Sequence, residues 1–302
     1  NNGAMPHGEG SCVRNIAASE RERQACSETA QAHPSPPRLA ARWRSAESML
    51  CVGIDPELGR IPEHLREMEA PFFQFGKEIV DATAEHVCAF KPQAAHFAAE
   101  GFEDQLGHLI DYIRTTYPEI VIILDAKRGD VGSTAKLYAR EAFERYQADA
   151  VTVNPYLGYD SLAPYFDYSD KGIVVLCRTS NPGSDWLQKS QLANSPLYLQ
   201  VAEQVSKWDQ GGQCMLVTGA TYPEELAQVR SAVGDMPLLV PGVGAQGGSV
   251  KDVLAAGTDS QGYGLVISSS RGIIYAGDGE DFAAQACIQA ALVKKQINQA
   301  KS

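Results

Sequence analysis

Long apolar runs and clustered positive charge are both absent from this chain of 302 residues. No stretch approaches the roughly 20 apolar residues of a membrane-spanning helix, and the N-terminus lacks the apolar core of a signal peptide. The 37 acidic residues outnumber the 26 basic ones, giving a formal net charge of −11, and no stripe rich in lysine and arginine occurs. These absences argue against a membrane span and against a nucleic-acid-binding surface.

Cysteine and histidine patterns typical of metal sites are also missing. The seven cysteines include no C-x-x-C pair, and the six histidines show neither H-x-H nor H-E-x-x-H spacing. A zinc site is therefore not expected. Four of the cysteines (Cys51, Cys88, Cys177 and Cys214) fall in apolar strand-like runs. This placement predicts reduced core thiols and a cytoplasmic protein.

The first 37 residues differ in composition from the rest of the chain. They are polar, show no apolar period and carry Pro34, Pro36 and Pro37 near their end. We predict that residues 1–37 are a flexible N-terminal extension, with one short helix over residues 19–32. Residues 38–302 then form the folded domain, which is long enough for one barrel-sized core.

From residue 39 onward, apolar runs rich in β-branched residues alternate with helical patterns. Helical character is clear over residues 135–146, 223–233 and 281–297. Eight β/α units in this length predict a closed parallel (β/α)8 TIM barrel. An open doubly wound sheet also alternates, but it usually has fewer strands and a binding loop early in the chain. The predicted strands are 49–55, 87–93, 120–127, 150–154, 172–178, 214–219, 237–241 and 264–268.

Polar side chains collect at or just past the carboxyl ends of these strands. In a (β/α)8 barrel the carboxyl ends of all strands meet at one rim, and that rim carries the active site. The sequence therefore predicts a functional site at this end of the barrel. The residues at the predicted rim are Asp55, Lys91, Asp125, Lys127, Asn154, Ser180, Gln246 and Arg271.

The most informative segment follows the third predicted strand and reads DAKRGDVGST from Asp125 to Thr134. Side chains two apart on a strand share a face, so Asp125 and Lys127 point the same way. Asp130 comes after Gly129, where the chain must turn. A structural ion pair needs one charge of each sign, and a second acid adds repulsion, so this cluster indicates catalysis. Lys91 ends the adjacent strand, and its ammonium can reach Asp125.

This segment resembles the signature of the orotidine 5′-phosphate decarboxylase family, an acid-x-Lys-x-x-Asp run closed by a threonine. The FKPQAAHF block at residues 90–97 is similar to the branch of the family with longer loops. The resemblance covers roughly residues 39–295. Other blocks similar to the family's motifs, in the same order, are CVGIDP at 51–56, RTSNPG at 178–183, PGVGAQGG at 241–248 and SRG at 270–272.

The resemblance implies an enzyme that decarboxylates orotidine 5′-monophosphate (OMP) to UMP in pyrimidine nucleotide synthesis, with no metal or organic cofactor. It also implies four catalytic residues. Lys127 stabilises the carbanion that develops at C6 of the ring and then protonates it. Asp125 lies beside the departing carboxylate. Lys91 and Asp130 hold these two side chains in place, in an alternating Lys-Asp-Lys-Asp array.

The resemblance further implies contacts to the rest of the substrate. Asp55 accepts a hydrogen bond from a ribose hydroxyl, Ser180 lies against the pyrimidine ring, and Gln246 and Arg271 bind the phosphate. The full set of expected substrate-binding residues is Asp55, Thr134, Ser180, Pro241, Val243, Gln246, Gly247 and Arg271.

The resemblance also implies a homodimer with shared active sites. Asp130 and Thr134 would reach across the two-fold interface into the neighbour's site, where Thr134 meets a ribose hydroxyl. No nucleic-acid or membrane partner is expected.

The GVGAQG segment at residues 242–247 has a second interpretation, because it matches the dinucleotide-binding pattern G-x-G-x-x-G. That loop normally follows the first strand of a βαβ unit, whereas this one follows the seventh predicted strand and has no clear acidic partner. The loops after strands seven and eight are the usual phosphate site of a β/α barrel. Together with Ser270 and Arg271, the segment favours a phosphomonoester.

Other interpretations stay open at the level of sequence. Asp55 could be a turn or helix-capping residue, Ser180 could cap the segment that follows it, and Lys91 could be a surface lysine. Asp125, Lys127 and Asp130 could form a structural salt bridge at the rim, in which one of the two carboxylates has no partner. Two other functions are a metal-dependent phosphosugar lyase or epimerase on a related barrel, and a non-catalytic domain that binds nucleotide monophosphates.

Overall fold

The computed structural model describes residues 35–243 and 249–301, and a closed barrel of parallel strands lies at its centre. The barrel order is β1-β10-β9-β8-β5-β4-β3-β2, and β6 and β7 form a separate antiparallel pair. In chain order the described strands are β1 (Leu50–Ile54), β2 (Ala89–Pro92), β3 (Val121–Arg128), β4 (Ala150–Val153), β5 (Gly172–Arg178), β6 (Gln191–Leu192), β7 (Ser195–Pro196), β8 (Cys214–Thr218), β9 (Leu238–Pro241) and β10 (Leu265–Ser269).

Helices surround the barrel and connect its strands. A π-helical turn, Glu141–Arg145, continues one of them, and short 3₁₀ helices lie at Ala84–His86, Pro155–Leu157 and Pro182–Ser184. The described α-helices are α1 (Ser35–Ser45), α2 (Glu63–Arg66), α3 (Pro71–Thr83), α4 (Ala94–Ala99), α5 (Glu103–Thr116), α6 (Gly132–Arg140), α7 (Tyr159–Phe166), α8 (Asp185–Gln188), α9 (Leu197–Trp208), α10 (Pro223–Val233), α11 (Val250–Gly257), α12 (Arg271–Ile274) and α13 (Phe282–Lys301).

The predicted (β/α)8 barrel is confirmed. Each of the eight predicted strands overlaps one barrel strand, and β5 matches its predicted range of 172–178. The helix predicted over 223–233 matches α10, and the last predicted helix corresponds to α13. The pattern over 135–146 is divided between α6 and the π-helical turn. The helix predicted over 19–32 lies outside the described residues.

The strands are buried because they face side chains inside the barrel and helices outside it. Every residue of β1, β4 and β8 is buried, as expected for apolar runs in a parallel barrel. The four cysteines predicted in the core (Cys51, Cys88, Cys177 and Cys214) are buried free thiols. Within the described residues, no helix is long and apolar enough to cross a membrane.

Helix α1 covers the amino ends of the strands. Arg42 donates to the carbonyls of Ala84 (2.7 Å) and Val87 (3.1 Å), just before β2. Arg38 donates to the carbonyl of Pro118 (2.8 Å), just before β3. The predicted site residues lie at the opposite rim, where the strands have their carboxyl ends. The helix includes residues 35–37, which the sequence pattern assigned to the extension.

Candidate active site

The carboxyl end of β3 departs from regular pairing where the DAK segment begins. Leu124 pairs with Val151 of β4, but the next pair along is Arg128 with Val153, so β3 has extra residues between the two pairs. Lys127 lies in this bulge in the left-handed backbone region, with φ 48°. Such a conformation is uncommon and costly for a residue with a side chain, and it often marks a functional site.

Lys91, Asp125 and Lys127, which we name the ion triad, come together at this rim. Asp125 Oδ2 lies 2.6 Å from Lys91 Nζ, and Asp125 Oδ1 lies 2.5 Å from Lys127 Nζ. The Asp125 and Lys91 side chains are only 7% and 12% exposed, whereas that of Lys127 is 47% exposed. One buried carboxylate therefore holds two ammonium groups, and Lys127 is the cation that remains open to a ligand.

The electrostatics of the triad keep its two buried members charged. Burial raises the pKa of Asp125, but the two ammonium groups outweigh burial and hold that pKa well below its usual range. Burial lowers the pKa of Lys91, but the nearby carboxylates of Asp125 and Asp55 contribute to a net rise. Each charge thus has an opposite neighbour that stabilises its ionised form.

Thr152 of β4 is a residue of this site that the sequence pattern missed. It is 1% exposed, and its hydroxyl contacts Asp125 Oδ1 at 3.0 Å. The backbone N–H groups of Ala126 and Lys127 donate to the same hydroxyl, at 3.0 and 2.9 Å. The available signal was a polar residue inside the apolar run AVTV. The partners of Thr152 depend on how β3 is aligned with β4, and the sequence alone does not give that alignment.

Asp55 and Arg271 lie at the same rim. Burial raises the pKa of Asp55, and the charges of Lys91, His96 and Arg271 oppose that rise. Asp55 is therefore within electrostatic range of both the triad and Arg271. Arg271 is exposed at the start of α12 and makes no ion pair within the described residues. Its guanidinium is available to an anionic ligand.

Ser180 follows β5, which ends at Arg178. Arg178 is a second residue that the sequence pattern did not single out, and it anchors this part of the chain. Arg178 is fully buried and pairs with Glu225 of α10 and with Asp185, whose Oδ1 lies 2.6 Å from Arg178 Nη2. The loop packs closely on β8, since a Cβ at Gly219 would lie 2.8 Å from the Cα of Ser180. The half-buried Ser180 is thereby fixed at the rim, beside the end of β8.

The predicted phosphate loop is described only in part. Pro241 ends β9, Gly242 takes a positive φ of 94°, and Val243 is buried. The positive φ explains a glycine at this position. Gln246 and Gly247 lie outside the described residues.

Three other rim residues do not join the ion triad within one chain. Asp130 Oδ1 accepts a hydrogen bond from the backbone N–H of Val131 at 2.8 Å, and Thr134 is exposed on α6. In the described part of the chain, Asp130 makes no ion pair with a lysine or arginine. Asn154 Oδ1 accepts from the N–H of Tyr156 at 3.0 Å and caps the 3₁₀ helix after β4.

Potential metal ligands lie elsewhere in the molecule. Among residues 35–243 and 249–301, the only cluster of histidine, cysteine and carboxylate side chains close enough to share an ion is Glu85, His86 and Cys287. Glu85 and His86 precede β2, at the amino end of the barrel, whereas Lys91 lies near the carboxyl end of the same strand. The donor set at the rim is therefore suited to an anionic ligand more than to a metal ion.

Comparisons with known proteins match most of the chain to one protein family. A family model described as the orotidine 5′-phosphate decarboxylase / HUMPS family matches residues 48–286. Orotidine 5′-phosphate decarboxylase from Janthinobacterium sp. (strain Marseille) is 56% identical over 256 residues, which cover 84% of this chain and 94% of that protein. The enzyme of the same name from Azoarcus sp. (strain BH72) is 54% identical over 261 residues, covering 86% of this chain and 97% of the relative.

A solved structure extends the likeness to three dimensions. OMP decarboxylase from Leishmania donovani matches with a TM-score of 0.76 and 36% sequence identity, covering 88% of this chain and 97% of that chain. The family match includes all eight barrel strands and all three residues of the ion triad. The chain belongs to the orotidine 5′-phosphate decarboxylase / HUMPS family.

Proposed function

We propose that this protein decarboxylates OMP to UMP in de novo pyrimidine synthesis, using the ion triad and no metal or organic cofactor. Family membership and relatives at 54–56% identity support the reaction. The single structural observation that supports it best is the buried Asp125 carboxylate between Lys91 Nζ and Lys127 Nζ.

The chemistry explains why a fixed cation is needed. When the bond from C6 to the carboxylate breaks, CO₂ leaves and the electron pair stays on C6. No cofactor is there to delocalise this pair, so preorganised positive charge must stabilise it. Lys127 is the partly exposed ammonium of the triad, and it supplies both the charge and the proton that C6 takes up. Asp125, already ionised, lies near the departing carboxylate and disfavours it relative to the transition state.

The remaining residues bind the parts of OMP that do not react. Arg271 pairs with the phosphate, together with Gln246 and the backbone of the loop from Pro241 to Gly247. Asp55 accepts from a ribose hydroxyl, and Ser180 contacts the pyrimidine. Binding energy from the phosphate and ribose can be used to align C6 with Lys127.

We also propose that the active protein is a homodimer with shared sites. Asp130 and Thr134 are not engaged with the triad of their own chain, and they lie on the segment that leads into α6. Exposed apolar side chains lie on this segment and on the elements that follow β4, where α7 packs against α6, and exposed apolar side chains are common at protein interfaces. They are Val131 (50% exposed), Leu137 (59%), Tyr156 (76%), Leu157 (47%) and Tyr159 (46%). Asp130 of one subunit would complete the charge array of the other.

The other two functions have less support. A metal-dependent phosphosugar lyase or epimerase needs a cluster of acidic or histidine ligands at the rim, where this chain has two ammonium groups, of Lys91 and Lys127, paired with the Asp125 carboxylate. A non-catalytic nucleotide-binding domain has no need for a left-handed lysine held by a buried acid.

We place the protein in the cytoplasm. We assign catalysis to residues 38–302, and the helical start of α1 at Ser35 makes residue 34 the better point for a truncation.

Turnover of OMP by EDTA-treated protein tests the reaction directly. We expect the ultraviolet absorbance of OMP to fall to that of UMP at the same rate before and after chelation. Restoration of a lost rate by added Mg²⁺ or Zn²⁺ would instead favour the metal-dependent alternative. Binding of UMP without any turnover of OMP would favour the non-catalytic one.

A further inference from the structure

Thr152 is a buried hydroxyl inside the barrel wall, between Val151 and Val153 of β4. All four residues of that strand are buried. A hydroxyl in such surroundings is costly unless it is hydrogen-bonded. This one has three polar contacts, all with the DAK segment: Asp125 Oδ1 at 3.0 Å, the N–H of Ala126 at 3.0 Å and the N–H of Lys127 at 2.9 Å.

The hydrogen-bonding capacity of a hydroxyl fixes the direction of each contact. A threonine hydroxyl has one proton to donate and two lone pairs to accept with. The N–H groups of Ala126 and Lys127 can only donate, so they use both lone pairs. The proton of Thr152 must then point to Asp125 Oδ1, the same oxygen that accepts from Lys127 Nζ.

The backbone geometry explains why these N–H groups need a side-chain acceptor. The bulge in β3 interrupts the ladder between Leu124 and Arg128, so the residues between them lack regular partners on β4. Lys127 is in the left-handed region at φ 48°, outside the range of a regular strand. Backbone N–H groups that lose contact with water need another acceptor, and Thr152 supplies it for the partly buried N–H groups of Ala126 and Lys127.

We propose that Thr152 is a positioning residue for decarboxylation. It stabilises the left-handed backbone at Lys127 and orients the carboxylate of Asp125, so that Lys127 Nζ is directed at the reacting carbon. The inference rests on the proposed role of Lys127 and adds the residue that holds it. Thr152 touches the triad through a hydrogen bond and acts on substrate only through Asp125 and Lys127.

The main test compares Thr152→Val with Thr152→Ser. Valine keeps the shape but removes the hydroxyl, and serine restores it. Loss of one hydrogen bond to a charged group corresponds to about a 10- to 100-fold fall in kcat. We expect that fall for Thr152→Val, with KM for OMP and the Kd for UMP within about threefold, since phosphate and ribose contacts are made elsewhere. Thr152→Ser should recover most of the lost kcat.

Controls separate positioning from stability. Thr83→Val removes another fully buried threonine hydroxyl, which donates to Ile79 O within α3, and should leave kcat unchanged. If Thr152→Val does not fold, Thr152→Cys keeps a similar volume with a weak donor, and its kcat should fall well below that of Thr152→Ser.

Three outcomes would overturn the proposal: a folded valine variant with kcat within twofold of wild type, a serine variant as impaired as the valine one, or a cysteine variant with wild-type kcat. Lys127→Ala is assayed in the same series, so that the role of Thr152 can be tested separately from the role of Lys127. An active Lys127→Ala enzyme would contradict the proposed role of Lys127, whereas an inactive one beside an active Thr152→Val would contradict only the role of Thr152. The proposed function itself would fail only if the wild-type protein did not turn over OMP.

Discussion

The proposed chemistry depends on single residues that the ends of the strands place at the rim. The Asp125 carboxylate forms ion pairs with two ammonium groups, that of Lys91 on β2 and that of Lys127 on its own strand. Because both lysines bind the same carboxylate, it holds their ammonium groups close together. The exposed side chain of Lys127 and the unpaired guanidinium of Arg271 are then the cations open to an anionic substrate in the described part of the site. These two positions give the sharpest predictions at this scale.

Arg271→Ala should weaken binding of substrates that carry the 5′-phosphate and leave the bare nucleoside little affected. Loss of a guanidinium–phosphate contact corresponds to roughly 1.5–3 kcal/mol, or about 10- to 100-fold in kcat/KM for OMP. Steady-state kinetics with OMP and competition by UMP and uridine measure the difference. Arg44→Ala, an exposed arginine on α1 at the other end of the barrel, is the matched control. Equal losses for nucleotide and nucleoside would make Arg271 a structural residue.

The rim residues could be predicted from sequence because each follows an apolar run that ends in a polar side chain. Asp125 and Lys127 also share a face in a regular strand. Thr152 and Arg178 could not be predicted in the same way. Their partners depend on the bulge in β3 and on the packing of α8 and α10 around β5, and neither leaves a periodic signal in the sequence. The positive φ of Lys127 is likewise a consequence of tertiary register.

At the scale of elements, the segment between β5 and α9 is the main departure from a plain β/α repeat. It contains α8 and the β6–β7 pair, and Arg178 ties its start to the barrel through Glu225 and Asp185. The alternation of apolar and helical segments predicted the eight barrel strands, because each strand is a mostly buried apolar run. The β6–β7 pair escaped prediction because each strand has two residues and no apolar period.

Arg178→Gln should destabilise the fold strongly, because it removes a fully buried guanidinium and leaves the Glu225 carboxylate, which is only 13% exposed, with Lys189 as its remaining ion-pair partner. Breaking a buried ion pair by removing one member typically lowers the free energy of unfolding by about 3–5 kcal/mol. Chemical denaturation measures the change. Arg114→Gln is the comparison, since its pair with Asp111 on α5 is exposed and should contribute only about 0–1 kcal/mol. A similar small effect in both variants would mean that Arg178 is not the anchor of this segment.

At the scale of the whole molecule, the proposed homodimer places Asp130 of one subunit in the site of the other. Mixing inactive Lys127→Ala with inactive Asp130→Ala chains tests this. A heterodimer would carry both lesions in one site and neither in the other. About half the dimers are mixed after random exchange, so roughly a quarter of wild-type activity should return. Lys127→Ala mixed with the double variant Lys127→Ala/Asp130→Ala has no intact site and is the control. Demonstrated subunit exchange with no recovered activity would place Asp130 in its own chain's site.

The central claim is that Lys127, held by Asp125, stabilises and protonates C6, and the kcat of Lys127→Ala tests it most directly. We expect kcat for OMP to fall by at least about a thousandfold while the Kd for UMP stays within a few-fold, because the lost contact is made mainly in the transition state. Lys207→Ala, an exposed lysine on α9, should match wild type in both measurements. A fall in kcat of less than about tenfold, equivalent to roughly 1.4 kcal/mol, would contradict the account.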